Sequence, residues 1–485
     1  LESQSTKIFH NAIYDVCWLR RLGLKINGDI VCTMIAAAVT DENRFRYDLN
    51  SLAWHYLGYG KNETALAEAA ESWGIDPKAE MYKLPAMHVG GYAERDAEIT
   101  LGLWQEMKKE ILHQDLEDIF DLETELFPCL VDMRFKGVRV DTERAHEMKN
   151  NLIKQEQDLL KKIEQETNIY PQIWAARSIA QVFENLKIPF ERTEKTDAPS
   201  FTKNFLQEHE HPVVRMIAQA REINKAHTTF IDSILRYEHK GRIHAEINQL
   251  RNAGGGTVTG RLVVHYASLY KLPSVYDVID AYQNDPNADF HQTVADMAEI
   301  PRSQAKTINL GLFYGMGKGK LQAELGVSKE KATELFNTYH ARVPFVKQLM
   351  SKASNRAQDR GQIRTLLGRL CRFHLWEPNS FGMHKAMTHE DALKEHGPGI
   401  KRAYTYKALN KLIQGSAADM TKKSMLELYK EGIIPHIQIH DELDISVEDE
   451  SHAKKIIEIM ENAVTLEVPN KVDYEHGDNW GEIHD

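Results

Sequence analysis

Seventeen residues, Pro301 to Gly317 (PRSQAKTINLGLFYGMG), constrain this chain more than any other stretch. Proline suits the first turn of a helix, where its missing N–H would be unpaired anyway. In a helix opened there, Arg302, Lys306, Leu310 and Tyr314 fall four residues apart and follow one slowly drifting face. A guanidinium and an ammonium one turn apart suit a polyphosphate, the first as a bidentate fork and the second as a point charge. Tyr314 then lies beyond the phosphates, beside a base. The R-x3-K spacing alone fits an ordinary amphipathic helix with solvated cations equally well. The continuation to Tyr314-Gly315 separates the two readings.

At 485 residues the chain is too long for one core. A prior of ~100 to 200 residues per domain predicts three or four units. No apolar run approaches the roughly 20 residues of a membrane span. The first residues, LESQSTKIFH, have no signal-peptide core and no starting Met, which fits a cytoplasmic protein or a trimmed piece of one. Cys17, Cys32, Cys129 and Cys371 are far apart and lack C-x2-C spacing, so buried thiols are expected rather than disulfides or zinc. The net charge of −11 speaks against a nucleic-acid partner on the scale of the whole chain. Only the local patch touches phosphate, however, and cations do cluster, as in RGQIRTLLGRLCR from Arg360 to Arg372.

The R-x3-K-x7-Y-G wording resembles the nucleotide-binding helix in the fingers of family A DNA polymerases, the bacterial DNA polymerase I group. Other stretches extend the resemblance along nearly the whole chain. HNAIYD and GGYAERDAEI resemble the second and third motifs of the 3′-5′ proofreading exonuclease domain, with DLNSLAWHYLG between them. That implies metal binding by Asp15 and Asp96, a supporting Asn11, and a Tyr92 that orients the attacking water. REINKAHTTF, from Arg221 to Phe230, is similar to the thumb-to-palm segment, after two long helices read as a hairpin. RIHAEINQL alternates as a strand and leads to Thr259-Gly260-Arg261; Arg261 matches either the family's T-G-R, whose Arg contacts the primer–template minor groove, or the E-P-R that often precedes the next helix. His291 matches a residue that contacts the incoming triphosphate. RAYTYKALNKLIQGSAADM resembles the palm helix whose Asn410 and Gln414 face the primer–template. Residues 374 to 399 read as a loop-like insertion.

HIQIHDELDISV alternates Ile437, Ile439, Leu443, Ile445 and Val447 around Asp441-Glu442, which predicts a hairpin with two carboxylates at its tip. H-D-E resembles the third polymerase motif, with Asp441 the metal ligand, Glu442 its neighbour and His440 at the primer. Strand extension needs a 3′ hydroxyl to attack an α-phosphate in line while pyrophosphate leaves, and charge builds on both oxygens. Two Mg²⁺ ions can stabilise both, and Mg²⁺ prefers carboxylate and phosphate ligands. Arg302, Lys306 and His291 would neutralise the departing phosphates, with Lys306 also counted as catalytic.

The resemblance implies an α/β multidomain right-hand polymerase with palm, fingers and thumb, preceded by a ribonuclease H-like 3′-5′ exonuclease domain. The expected division is exonuclease 1–118, a lead into the palm 119–145, thumb 146–235, palm 236–270, fingers 271–400 and palm 401–485. Expected cofactors are two Mg²⁺ at the polymerase site and Mn²⁺ or Mg²⁺ at the exonuclease site. Expected partners are primer–template DNA, dNTPs and a processivity factor or helicase, for a monomer in the cytoplasm of a bacterial host. A short thumb and the Trp376 to Pro398 insertion point to a phage gene. The first motif of each site is missing from the pattern. A D-x-E strand is expected ahead of Leu1, and an Asp-Tyr-Ser-like strand near Gly260 to Leu262, where the chain passes directly into LVVHYASL. The rival readings are a non-catalytic nucleic-acid-binding relative that has lost an acid, and a single-subunit RNA polymerase, which would have no use for the exonuclease-like region.

At Leu310 an aliphatic residue stands where the family usually carries Phe or Tyr against the sugar of the incoming nucleotide. Leu310→Tyr is expected to admit dideoxynucleotides and Leu310→Phe to speed incorporation. A contact difference of about 1 to 3 kcal/mol corresponds to a 5- to 150-fold change in selectivity. Single-turnover incorporation of dTTP and its dideoxy analogue measures this. Unchanged discrimination in Leu310→Tyr would remove the residue from the sugar site.

Overall fold

Two parallel strands, β1 (Lys7–Phe9) and β2 (Ile30–Cys32), begin the fold, and parallel pairing requires the crossover that helix α1 (Ala12–Arg21) makes between them. The computed structural model describes residues 1–193, 196–250, 257, 302, 311, 316–342, 344–380, 382, 384–439 and 441–482. They divide into two compact units, Leu1–Met133 with Ile247–Asp485, and Arg134–Glu246.

In the first unit, α2 (Thr33–Thr40) buries Ala36, Ala37 and Val39. Asp48 caps α3 (Leu49–Tyr56), its carboxylate accepting from the Ser51 N–H at 3.0 Å. After α4 (Thr64–Trp73), the long α5 (Ala86–His113) lays Ile99, Leu103, Met107 and Ile111 against the small side chains of α2. Helix α6 (Glu117–Lys136) continues the same core through Ile119, Leu126 and Leu130, which also takes in Leu370, Met425 and Leu426. One hydrophobic core thus joins the exonuclease-like and palm-like sequences.

The second unit is mostly helical. Its three-stranded sheet, β3 (Val138–Arg139), β6 (Glu238–His239) and β7 (Arg242–Ile243), has β7 in the centre. Between β3 and β6 come α7 (Thr142–Thr167), α8 (Ala176–Asn185), the hairpin of β4 (Glu191–Arg192) and β5 (Pro199–Ser200), α9 (Lys203–Glu208), α10 (Pro212–Lys225) and α11 (Asp232–Tyr237). Phe183 centres its core with Ile163, Val213 and Ile217. The expected second long helix is not uniform: a π-helical turn, Ala226–Ile231, separates α10 from α11. There His227 is buried and its Nε2 meets Glu156 of α7 at 2.6 Å, with Asn224 donating to the same carboxylate at 3.0 Å. The strand expected over RIHAEINQL is confined to Arg242–Ile243.

Returning to the first unit, α12 (Lys318–Leu325), α13 (Lys329–Arg342) and α14 (Pro344–Arg360) pack around Leu321, Leu335, Tyr339 and Val346. The hairpin β8 (Gln362–Arg364) and β9 (Leu370–Arg372) follows. The stretch expected to be loop-like is instead built: β10 (Trp376–Pro378) pairs antiparallel with β11 (Ile400–Arg402), and α15 (His389–His396) lies between them, capped by Thr388. Trp376 orders it, with the Arg402 guanidinium 4.7 Å from its ring centre and the His389 ring at 4.6 Å. The long α16 (Ala408–Lys430), the hairpin β12 (Ile437–Ile439) and β13 (Glu442–Asp444), and α17 (Glu450–Asn462) complete the unit. Cys32, Cys129 and Cys371 are buried thiols, while Cys17 is only half-buried.

Two polar clusters tie this unit together. Glu123 of α6, Arg369 of the β8–β9 loop, and Asp419 and Lys422 of α16 are almost wholly buried, two negative and two positive charges. Lys422 Nζ donates to Glu123 at 2.6 Å and to the Gln249 carbonyl at 2.9 Å. Arg369 reaches both carboxylates, its Nε lying 2.8 Å from Asp419, and Thr365 donates to the other Asp419 oxygen at 2.7 Å. Burial pushes the Glu123 carboxyl up, but Lys422 and Arg369 outweigh it and hold it below the usual range. Burial lowers Lys422 to about 8. In the second cluster, Arg372 donates to Glu42 at 2.6 Å from both its side chain and its backbone N–H, and Arg364 donates to the Asp115 carbonyl at 2.8 Å.

Removing one member of the buried group leaves an uncompensated charge, so Lys422→Met is expected to destabilise this unit by about 3 to 5 kcal/mol. Glu123→Leu combined with Lys422→Met should recover part of that loss. Guanidinium unfolding followed by tryptophan fluorescence reads both, and a Lys422→Met midpoint equal to wild type would contradict the expectation.

Candidate active sites

Ile439 pairs with Glu442 across β12 and β13, so the turn of the hairpin falls between those two residues. Asp441 therefore stands in the turn. Glu442 does not share the tip, as the sequence suggested, but opens β13, because the pairing of Ile437–Ile439 with Glu442–Asp444 fixes the register one residue earlier. The Trp480 indole Nε1 donates to Glu442 Oε1 at 3.4 Å. Leu443 packs against the core that holds Met425 and Leu426 of α16, which seats the hairpin on that helix.

On α16 the helical period puts Asn410 and Gln414 on one half-exposed face and Asp419 on the opposite, buried one. The Q-G-x-A-A-D signature is thus a helix with a half-exposed polar face and an acidic anchor behind it. Arg302 is helical and exposed. Arg261, His291, Lys306, Leu310, Tyr314 and His440 lie outside the described residues.

The exonuclease-like residues sit on two helices. Asn11, at the start of α1, has left-handed backbone (φ 60°) and its side chain does not cap the helix. Asp15, one turn on, is half-buried, and burial raises its pKa. Tyr92 and Asp96 lie one turn apart on α5 and are drawn together by a residue the sequence reading missed. Lys61 Nζ lies 2.7 Å from Asp96 Oδ2 and 3.0 Å from the Tyr92 hydroxyl, and 4.9 Å from the centre of the Tyr92 ring. Asp96 Oδ1 is buried without a hydrogen-bond partner. Next to Asn11, His10 meets Thr33 Oγ1 at 2.9 Å, and burial together with Lys61 lowers its pKa to about 4. No hydrogen bond or ion pair among the described residues joins Asn11 or Asp15 to Tyr92 or Asp96. No spacing in the sequence marks Lys61, which lies in the loop between α3 and α4; only tertiary folding brings it to α5.

An acidic hairpin turn seated on a two-faced helix shares this chain with an α/β part that carries an acidic helix. The comparisons make the class specific. The chain belongs to DNA polymerase family A, whose model matches residues 142–284 and 276–482, and the 3′-5′ exonuclease model matches residues 1–112. The DNA-directed DNA polymerase of Pseudomonas phage M6 is 31% identical, with 90% of this chain and 76% of that one covered. DNA polymerase DpoZ of Salmonella phage PMBT28 is 29% identical over 98% and 88%, and DNA polymerase I of Pseudomonas aeruginosa 26% identical over 100% and 57%. The POL domain of Pol1 from M. smegmatis, solved with DNA primer-template and dNTP, shares the fold at a TM-score of 0.72 and 20% identity, with 98% of this chain and 86% of that one covered.

The protein is a DNA-directed DNA polymerase with a 3′-5′ exonuclease domain, and its phage relatives agree with the expected phage origin. The alignment with the phage M6 enzyme runs over 530 residues yet takes in 90% of this 485-residue chain, so that relative carries residues this chain lacks. Family A polymerases and their exonuclease domains depend on divalent metal ions. Among the described residues no group of three or more His, Cys, Asp or Glu is arranged to hold one. No helix among the described residues is long and apolar enough to cross a membrane.

Proposed function

We propose that this chain extends a primer 3′ end on a DNA template with dNTPs, and that Asp441 is the carboxylate on which the polymerase site turns. The observation that carries this is the β12–β13 hairpin. It fixes Asp441 in a tight turn on a strand pair anchored to α16 by Leu443 and to Trp480 through Glu442. A group held this way keeps its position as charge develops in the reaction, so no reorganisation is needed at that moment. Asp441 would contribute to Mg²⁺ binding, with the remaining acid supplied from outside the described residues, and the Asp-Tyr-Ser-like strand expected near Gly260 to Leu262 is its source in this reading.

The other assignments follow the same reading. Arg302, Lys306 and His291 take the triphosphate, Leu310 the sugar and Tyr314 the base. Asn410, Gln414, Arg261 and His440 hold the primer–template, for which the half-exposed face of α16 is the support. The helical residues 146–235 act as thumb, 271–400 as fingers, 236–270 and 401–485 as palm, and 1–118 as the proofreading domain, with Asn11, Asp15, Tyr92 and Asp96 as its site.

Asp441→Ala is expected to lower single-turnover extension of primed DNA by about 10²- to 10³-fold, while the affinity for primer–template changes by less than about two-fold. Rapid-quench extension and DNA-binding anisotropy measure the two separately. Near-normal extension by Asp441→Ala would sink the assignment.

A further inference from the structure

We infer that Lys61 is a resident counter-cation of the exonuclease site, which competes with a divalent ion for Asp96. The inference rests on the reading of Tyr92 and Asp96 as exonuclease residues and concerns what a metal meets on arrival. An ammonium has three N–H donors. Here one lies 2.7 Å from Asp96 Oδ2 and a second 3.0 Å from the Tyr92 oxygen, with the cation 4.9 Å from the ring centre.

The loop is built to deliver this side chain. The Lys61 backbone N–H donates to Asn50 Oδ1 of α3 at 2.9 Å. At the residue before it, Gly60, an added Cβ would press on Asn50 Oδ1 and Trp54 Nε1, so a larger residue there would push those α3 side chains aside. The Lys61 and Asp96 side chains are 15% and 24% exposed, so the pair is drier than an ordinary surface ion pair and less screened.

Two consequences follow from the charges. Asp96 has one oxygen engaged by the ammonium and the other, Oδ1, buried without a hydrogen-bond partner, so the carboxylate is only half compensated. A divalent ion approaching it must either displace Lys61 or tolerate a like charge at contact distance. Tyr92, accepting from Lys61, keeps its O–H free to donate, which orients the phenol before any ion or DNA end arrives. Lys61 thus supplies a counter-charge to Asp96 and orders Tyr92 without metal, at a cost in metal affinity.

The test is Mn²⁺ binding to the full chain, read from the free-ion paramagnetic resonance signal, for wild type, Lys61→Met, Lys61→Arg, Asp96→Asn and the Lys61→Met/Asp96→Asn double variant. Digestion of a 3′-labelled single strand is followed in parallel. Lys61→Met should bind Mn²⁺ about ten-fold more tightly at the sites that Asp96→Asn removes, the order expected for loss of a hydrogen bond between charged groups. Lys61→Arg, which keeps the cation, should behave like wild type, and the gain should vanish in the double variant. If Asp96→Asn loses a binding class but Lys61→Met gains nothing, competition by Lys61 is overturned while the site reading stands. If Asp96→Asn alters neither Mn²⁺ binding nor digestion, the site reading falls and this inference with it.

Discussion

Four buried charges carry the architecture of the larger unit. Glu123, Arg369, Asp419 and Lys422 come from α6, the β8–β9 loop and α16, and each is almost fully removed from water. Burying any one alone would cost several kcal/mol, and only their mutual contacts, completed by Thr365 and Gln249, offset that cost. Apolar side chains would fill such a space with less directional demand. The ionic contacts instead fix the rotation of α16 about its axis, because Asp419 and Lys422 must both point inward. That rotation turns Asn410 and Gln414 outward and sets the base on which the Asp441 hairpin rests.

The exonuclease-like part is bound to the same frame. Its core of small α2 residues against α5 runs without interruption into α6 and the palm helix. Glu42, itself buried, receives both the backbone N–H and the guanidinium of Arg372. The strand β9 is therefore shared: Arg369 just before it anchors the palm, and Arg372 at its end anchors the N-terminal part. A displacement of one part would have to break charge-assisted bonds in the other, which gives the two parts a common mechanical reference.

The two candidate sites hold their acids by different means. Asp441 is constrained by backbone pairing, since it stands in the turn of a hairpin whose strands pair on either side of it. Asp96 stands on a helix face with a lysine as its counter-charge, so its environment depends on an ion pair that another cation can displace. Rigidity of backbone suits a site whose charge develops in one place during each turnover. An exchangeable partner suits a site that is engaged only intermittently.

By itself the sequence determined the family, the order of its parts and the identity of most candidate residues, because those are carried by local spacing. N-x2-Y-D, Y-x3-D and Q-G-x-A-A-D each fall on one helix or its first cap, where the period of 3.6 decides which side chains share a face. It misjudged what depends on pairing or on distant contacts. Glu442 left the hairpin tip because strand register is set across the ladder, and the Trp376 insertion became ordered because Arg402 and His389 close on it. Asp419 was legible only as a letter in a motif, while its partners Arg369 and Thr365 lie 50 and 54 residues away in the chain and carry no signal of their own. Lys61 is the plainest case: it sits in a loop among residues that predict nothing, 35 positions from the carboxylate it meets. Charge pairing across such separations exists only once packing has brought the elements together, so the tertiary structure alone could decide it.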